Sequence, residues 1–139
     1  MIVLDTNAIS ELMRPRPDAG VLRWIDRQPM RSIWTTPVTL YEIRAGLLSM
    51  PAGKKQAKLN DFVDQWLDQV LERRVLDFDT AAAEKAAELE AAGVKTGRMR
   101  ELRDTMIAGI VQATRATLAT RNVKHFEDIA ASVVNPWEA

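Results

Sequence analysis

Short apolar runs alternate along this chain with longer amphipathic segments. Ile2-Val3-Leu4 contains β-branched residues and predicts a buried strand. Similar short runs predict further strands over 32–36, 75–78, 118–120 and 132–134. The segments between them have helical spacing, and the longest apolar stripe comprises Leu59, Phe62, Val63, Trp66, Leu67, Val70 and Leu71. Strands separated by helices predict an α/β sandwich around a mainly parallel sheet.

Polar residues mark where several of these elements begin. Asn7 is a candidate N-cap for the helix after the first strand. A third helix is predicted over 38–48, and it begins after a proline that suits a first helical turn. A basic loop over 95–103 precedes a helix that we expect to begin at Asp104 and to end near Ala116.

Composition narrows the possible chemistry. The chain has 139 residues, 47% of them hydrophobic, with no cysteine and one histidine. Cysteine catalysis, thiolate zinc sites and iron–sulfur clusters are therefore excluded, as is catalysis that needs two histidines. Neither a signal peptide nor a membrane-spanning apolar stretch is visible. We expect a single soluble, cytoplasmic domain over residues 1–139 that does not enter a membrane.

The formal net charge of zero conceals segregated blocks of charge. Residues 1–60 hold nine basic and five acidic side chains, whereas residues 61–90 hold three and nine. Residues 91–126 are basic again, with seven against two. Such blocks permit a nucleic acid partner, although solvated helix faces of alternating sign explain them equally well.

Three carboxylates lie where apolar residues dominate. Asp5 ends the first strand, Glu42 lies among apolar residues of the third helix, and Asp104 shares a face with Ile107 and Ala108. Each has a structural explanation too, because Asp5 and Asp104 suit helix caps and Glu42 can pair with an arginine. If the three acids converge, a hard divalent cation would offset their mutual repulsion. Because the ligands are oxygens, with no Cys and no cluster of His, Mg²⁺ or Mn²⁺ is favoured over Zn²⁺.

The carboxyl ends of parallel strands meet at one edge of a sheet, where sites form. Asp5 follows the first strand, and Thr120 and Asn122 follow the fourth predicted strand. Thr120 could offer a hydroxyl and Asn122 an amide beside Asp5, although Asn122 also suits an ordinary turn. We expect these residues to share one edge.

Five segments spread over essentially the whole chain carry a combined pattern, namely Ile2–Asn7, Val38–Ile43, Asp104–Ala108, Leu118–Phe126 and Val134–Trp137. Together and in this order they resemble a PIN domain, and more narrowly the VapC-type toxin ribonucleases, including the FitB-like branch. The resemblance implies a PIN-like three-layer α/β/α sandwich and a metal-dependent endoribonuclease in which activated water attacks an RNA phosphodiester.

The resemblance also implies roles for individual residues. Asp5, Glu42 and Asp104 correspond to the family's acidic cluster, with Asp5 and Asp104 as the expected direct Mg²⁺ ligands. Thr120 lies beside the metal, as does Thr6. Family members often carry a fourth acid where this chain has Asn122. Because an amide contributes no negative charge, we expect a second metal ion to bind less readily.

Partners follow from the same resemblance. It implies an RNA substrate, tRNA or rRNA, together with a cognate antitoxin protein and a homodimer. Candidate contacts to the RNA backbone are Arg98, Arg100, Arg103, Arg121 and Lys124. An alternative is a catalytically silent PIN domain that binds RNA or protein, which Asn122 favours. A haloacid-dehalogenase-type phosphatase is disfavoured, because its second Asp would stand where this chain has Asn7.

Overall fold

Four short parallel strands form the centre of the molecule, for which the computed structural model describes all 139 residues. The strands are β1 (Ile2–Leu4), β2 (Ile33–Trp34), β3 (Thr117–Ala119) and β4 (Val133–Val134). Their order is β2-β1-β3-β4, so β1 and β3 are the inner pair. Since all four run the same way, their carboxyl ends lie at one edge, as the sequence predicted.

Six α-helices connect and cover the strands. They are α1 (Thr6–Leu12), α2 (Ala19–Asp26), α3 (Pro37–Leu48), α4 (Lys54–Gln65), α5 (Thr80–Thr96) and α6 (Leu102–Thr114). The apolar stripe predicted over 59–71 belongs to α4 and to the π-helical turn Trp66–Val70 that continues it. No helix is both long enough and apolar enough to span a bilayer.

Alternation along the strands separates two hydrophobic cores. Val3 and Leu118, both 0% exposed, pack with residues of α5 and α6 on one face of the sheet. Leu4 and Ala119 point to the other face and pack with residues of α1, α2, α3 and α4. The sheet therefore lies between two helical layers, and the predicted α/β/α sandwich is confirmed.

Two helices pack unusually closely at Gly109 of α6. A Cβ atom at this position would lie 2.5 Å from the carbonyl oxygen of Ala82 and 2.8 Å from Cβ of Ala86, both in α5. Only glycine permits that approach, because a methyl group cannot occupy the space between the helices. The contact sets the position of α6 against α5, and α6 carries Asp104 in its first turn.

Several predicted boundaries are wrong. The strand expected over 75–78 reduces to one isolated bridge between Val75 and Thr35. The N-cap of α1 is Asp5 rather than Asn7. The last helix begins at Leu102 with Glu101 as its N-cap, so Asp104 lies inside the first turn and its cap role is excluded. At the start of both helices, two nearby side chains can accept the capping hydrogen bond, and the backbone geometry selects Asp5 over Asn7 and Glu101 over Asp104.

Candidate active site

Asp5 lies at the carboxyl end of the inner strand β1 and is only 4% exposed. Its Oδ1 accepts a hydrogen bond from the backbone N–H of Thr6 at 2.8 Å, which caps α1. Its Oδ2 accepts from the hydroxyl of Thr120 at 2.7 Å and from the side-chain amide of Asn7 at 3.1 Å. Both oxygens of this buried carboxylate are therefore held in fixed directions.

Glu42 approaches the same edge from the middle of α3. The hydroxyl of Thr6 donates to its Oε1 at 3.0 Å. Behind that contact lie buried hydroxyls, with Thr6 Oγ1 3.4 Å from Oγ1 of Thr39, which is 3.3 Å from Oγ1 of Thr36. On the outer side, the guanidinium of Arg103 lies 3.6 Å from Oε2 of Glu42. The sequence's structural alternative for Glu42, an arginine partner, is thus present as well.

Asp104 enters the site from the first turn of α6. Its Oδ2 lies 3.3 Å from Nδ1 of His125, a residue of the 3-10 turn Val123–Phe126. The Asp104 side chain is 23% exposed, so it reaches both the interior and solvent. With the cap role filled by Glu101, the Asp104 carboxylate contacts His125 instead.

The electrostatics link these acids. Burial raises the pKa of Asp5; the hydrogen bonds from Thr120 and Thr6 oppose that effect, and the negative charge of Asp104 adds to it. Burial likewise raises the pKa of Asp104, which His125 lowers and the charges of Glu101 and Glu42 raise further. Asp104 is thus close enough to both Asp5 and Glu42 for like charges to repel.

The donor set fits a hard cation held by few protein ligands. No group of three or more His, Cys, Asp or Glu side chains comes together as a complete metal-binding set. Asp5 and Asp104, however, offer carboxylate oxygens that burial and mutual repulsion disfavour as bare anions. Mg²⁺ is commonly bound by one or two carboxylates while keeping several waters. The two acids fit that mode of binding.

The whole arrangement matches one known family. A family model for the PIN domain matches residues 2–132. The chain belongs to the PIN domain family. The resemblance seen in the sequence motifs is confirmed.

Three relatives cover this PIN domain almost end to end. Plasmid stability protein StbB from Pseudomonas syringae pv. tomato is 42% identical and aligns over 100% of both chains. VapC ribonuclease Y4jK from Sinorhizobium fredii is 38% identical over 99% of both chains. Toxin FitB from Neisseria gonorrhoeae is 31% identical over 99% of both.

Solved structures share the architecture of this PIN domain. The structure of FitAB bound to an IR36 DNA fragment superimposes with a TM-score of 0.91 at 31% identity, covering 99% of this chain and 96% of that chain. VapBC-5 from Mycobacterium tuberculosis, a member of the VapBC family of toxin-antitoxin systems, gives 0.67 at 27% identity, covering 95% and 94%. These values confirm the PIN fold.

The sequence missed the structural role of Asn7. Its side-chain amide contacts Oδ2 of Asp5, and it also lies 3.3 Å from Oγ1 of Thr120. Its Oδ1 accepts from the backbone N–H of Arg121 at 3.0 Å. Asn7 therefore ties the end of β1 to the end of β3. Its position two residues after Asp5 was the available signal, but the partners lie more than a hundred residues away.

Thr120 and Asn122 lie where the sequence placed them. Thr120 is 0% exposed, donates to Asp5 and accepts from the backbone N–H of Asn122 at 3.1 Å. Asn122 is exposed at the turn after β3, and its backbone is held by Thr120. An amide at this position adds no negative charge to the acidic edge.

The five basic candidates have different environments. The side chain of Arg100 is only 6% exposed and donates to the carbonyl oxygen of His125, so it is not available for RNA in this structure. Arg98 donates to the carbonyl oxygen of Lys124 and pairs with nearby acids. Arg103 faces Glu42, and Arg121 lies over the ring of Trp137, 5.0 Å from its centroid. Lys124 is exposed, as are the ends of Arg103 and Arg121.

Proposed function

We propose that residues 1–139 act as one PIN domain that is a Mg²⁺-dependent endoribonuclease, hydrolysing RNA phosphodiester bonds with water as the nucleophile. Mn²⁺ is expected to substitute. The observation that supports this most strongly is Asp5, a carboxylate 4% exposed at the end of the inner strand and facing the charge of Asp104. Burying such a carboxylate is costly unless a cation or another partner offsets the charge.

Asp5 and Asp104 are the residues proposed to hold the cation, with Glu42 completing the acidic edge. A bound divalent cation would supply activation of water and neutralisation of charge on the attacked phosphate. In this mode of binding, retained waters and a substrate phosphate would supply the remaining ligands. Asn122 lacks the charge of a fourth acid, so we propose one cation per chain.

The neighbouring side chains are proposed to orient these acids. Thr120 and Asn7 direct Oδ2 of Asp5, because both contact that oxygen. Thr6 holds Oε1 of Glu42. Arg103 neutralises Oε2 of Glu42 in the absence of substrate. With its exposed guanidinium, Arg103 is also the basic side chain best placed to meet a phosphate beside the acids.

A cleavage assay with matched variants tests the proposal. A single-stranded RNA reporter is incubated with purified protein in Mg²⁺, in Mn²⁺ and in EDTA. Asp5→Asn and Asp104→Asn are expected to lose at least about 100-fold in rate, which is the scale of removing a group that orders the reacting atoms. Asp61→Asn is the control, since Asp61 is an exposed acid on α4.

Each outcome of that assay has a definite meaning. Metal-dependent cutting by wild type and by Asp61→Asn alone supports the nuclease and excludes a contaminating enzyme. Equal cutting by all variants contradicts the assignment of Asp5 and Asp104. If no variant cuts the RNA and calorimetric titration with Mn²⁺ shows no binding, the catalytically silent PIN domain that binds RNA or protein is favoured.

The biological setting is proposed from the relatives. Toxin FitB and VapC ribonuclease Y4jK align over 99% of their length with this chain, and VapBC-5 is named as part of a toxin-antitoxin family. We infer that this chain is a cytoplasmic toxin that cleaves tRNA or rRNA and is neutralised by a cognate antitoxin. Expression alone should arrest growth, and coexpression of the antitoxin gene should restore it. Asp5→Asn should be harmless in the same cells.

A homodimer is also proposed. Several large apolar side chains are exposed close to the α5–α6 connection, namely Val94, Met99 and Leu102, at 63%, 68% and 62%. Exposed apolar patches mark protein contacts more often than isolated apolar residues do. Light scattering after gel filtration should give twice the 15.6 kDa chain mass. A monomeric mass at micromolar concentration would contradict the dimer.

A further inference from the structure

A pair of arginines grips the segment that carries the only histidine. Arg98 donates from Nη2 to the carbonyl oxygen of Lys124 at 2.6 Å. Arg100 donates from Nε to the next carbonyl oxygen, that of His125, at 2.9 Å, and also binds Asp128. Consecutive backbone carbonyls are thus held by two guanidinium groups. Asp128 is shared, since it also lies 3.9 Å from Nε of Arg98.

The connection that supplies these arginines is itself built to a fixed shape. The backbone N–H of Arg98 donates to the carbonyl oxygen of Gly93 at 2.9 Å. A Cβ atom on Gly93 would lie 2.3 Å from the carbonyl oxygen of Arg98, so only glycine allows this approach. Gly97 has a φ of 73°, the left-handed conformation that glycine adopts at little cost. Arg100 is 6% exposed, which is unusual for an arginine whose role is to meet solvent or RNA.

The gripped segment faces the acidic edge. Phe126, 1% exposed, anchors the 3-10 turn in the core, and His125 next to it is 57% exposed. Nδ1 of His125 lies 3.3 Å from Oδ2 of Asp104. A cavity of about 170 Å³ lies between the arginine connection and this pair, with Arg98, Arg100, Asp104 and His125 among its lining residues. The imidazole therefore connects the arginine grip to the carboxylate.

We propose that His125 is a positioning residue for Asp104, and that Arg98 and Arg100 hold it in place. Side chains that contact a ligating carboxylate set its orientation and its affinity for a cation, and here Nδ1 of His125 approaches Oδ2 of Asp104 to 3.3 Å. The role needs only a nitrogen at the Nδ1 position of His125. Arg98 and Arg100 then act through the backbone of Lys124 and His125, whereas RNA contacts fall to other cations. This inference rests on the proposed cation-dependent cleavage.

A histidine on a surface turn is more often a packing or solvated residue than a functional one. Three independent contacts argue against that here: two carbonyl oxygens are held by the arginine side chains, and Nδ1 contacts an acid of the site. The distinction can be measured, because a merely structural residue would not affect cation affinity at unchanged stability.

Mn²⁺ affinity is measured by calorimetry on the whole protein, without RNA and at one pH, for wild type, His125→Ala, His125→Asn and His125→Gln. The side-chain nitrogen of Asn occupies the Nδ1 position, whereas that of Gln occupies the Nε2 position. We expect His125→Ala and His125→Gln to bind Mn²⁺ about 10- to 100-fold more weakly, and His125→Asn to recover most of the affinity. Thermal unfolding without cation should differ little among them, since His125 is exposed.

Arg98→Ala tests the grip, with Arg31→Ala as the control because Arg31 is exposed and precedes β2, at the edge of the sheet opposite the acids. Weaker Mn²⁺ binding with an unchanged KM for RNA at saturating Mn²⁺ supports the grip. A raised KM for RNA with unchanged Mn²⁺ affinity overturns it and makes Arg98 an RNA contact. If wild type binds and cleaves while His125→Ala behaves identically, the positioning role is wrong and the proposed function stands. If wild type neither binds Mn²⁺ nor cleaves, both fail together.

Discussion

Replacing Gly109 by alanine should displace the helix that carries Asp104. The added Cβ would meet the Ala82 carbonyl oxygen at 2.5 Å and Cβ of Ala86 at 2.8 Å, both of them atoms of the neighbouring helix α5. Neither neighbour is the end of a flexible side chain, so the helices must separate. Reaching even a tight contact requires a movement of about 0.5 Å in a close-packed core.

Two opposing effects determine how much Gly109→Ala changes the free energy of unfolding. Alanine favours a helix over glycine by about 1 kcal/mol. Overpacking a well-packed core costs about 1–3 kcal/mol, and here the obstacle is backbone, which puts the cost at the upper end. The net loss should be roughly 1–2 kcal/mol. For a chain of this length that corresponds to a fall in Tm of roughly 3–8 °C.

Gly46→Ala is the matched control. Nothing lies within 4 Å of a Cβ built on Gly46, which is exposed in the interior of α3. Only the higher helix propensity of alanine acts at this position, so the free energy of unfolding of Gly46→Ala should rise by up to about 1 kcal/mol. Urea and thermal unfolding of the three proteins would show opposite signs for the two substitutions.

Activity gives a second measurement for the same variant. A displacement of α6 moves Asp104 relative to Asp5, and misplacement by about 1 Å can cost about 100-fold in rate. Gly109→Ala should therefore lose about 10-fold or more at temperatures where it remains folded. If Gly109→Ala is as stable and as active as wild type, the packing argument is wrong. If it is as stable as wild type but inactive, only the expected loss of stability is wrong.

Three further predictions concern the acidic edge. Burial raises the pKa of Asp5 from 3.8, so the folded protein without cation should lose stability as pH rises from about 4 through the raised pKa. Asn does not titrate, so the Tm of Asp5→Asn relative to wild type should increase over the same pH range. A Tm difference that stays constant with pH would contradict the pKa shift. Thr120→Val keeps the shape but removes the hydroxyl that donates to Asp5, so we expect the free energy of unfolding to fall by about 1–3 kcal/mol and activity to be lost. Thr120→Ser keeps the hydroxyl and should retain activity, with a loss of about 1 kcal/mol for the buried methyl group. Mn²⁺ titration should give one ion per chain, and Asn122→Asp should strengthen binding; two ions in wild type would contradict the single-cation proposal.

Local patterns predicted the fold well where neighbouring residues decide the structure. Alternation of side chains explains why Val3 and Leu4 reach different cores. The strand expected over 75–78 failed because its single pairing, between Val75 and Thr35, depends on a distant segment. The sequence offered both Asp5 and Asn7 as caps for α1, and it missed Glu101 as the cap of α6, because nearby polar residues compete for the same role and only the backbone geometry selects one.

For the site, the sequence identified which acids lie at the carboxyl edge but not what holds them. The strand order and the position of α6 bring the negative charge of Asp104 close enough to raise the pKa of Asp5. The sequence allowed an arginine partner for Glu42, but it did not indicate that the partner is Arg103 or that the side chain of Arg100 is buried, because neighbouring arginines look alike in a linear pattern. Their environments differ by the direction in which each side chain leaves the backbone.

The amino-acid sequence by itself determined the α/β pattern and the family resemblance, and it predicted the acids proposed to hold a cation. These properties depend on residue type and on spacing over a few positions, where propensity and periodicity act. The tertiary structure alone decided that Thr120 donates to Asp5 across 115 residues and that His125 meets Asp104. Such contacts depend on sheet order and helix packing, which arise only when distant segments bury their apolar faces together.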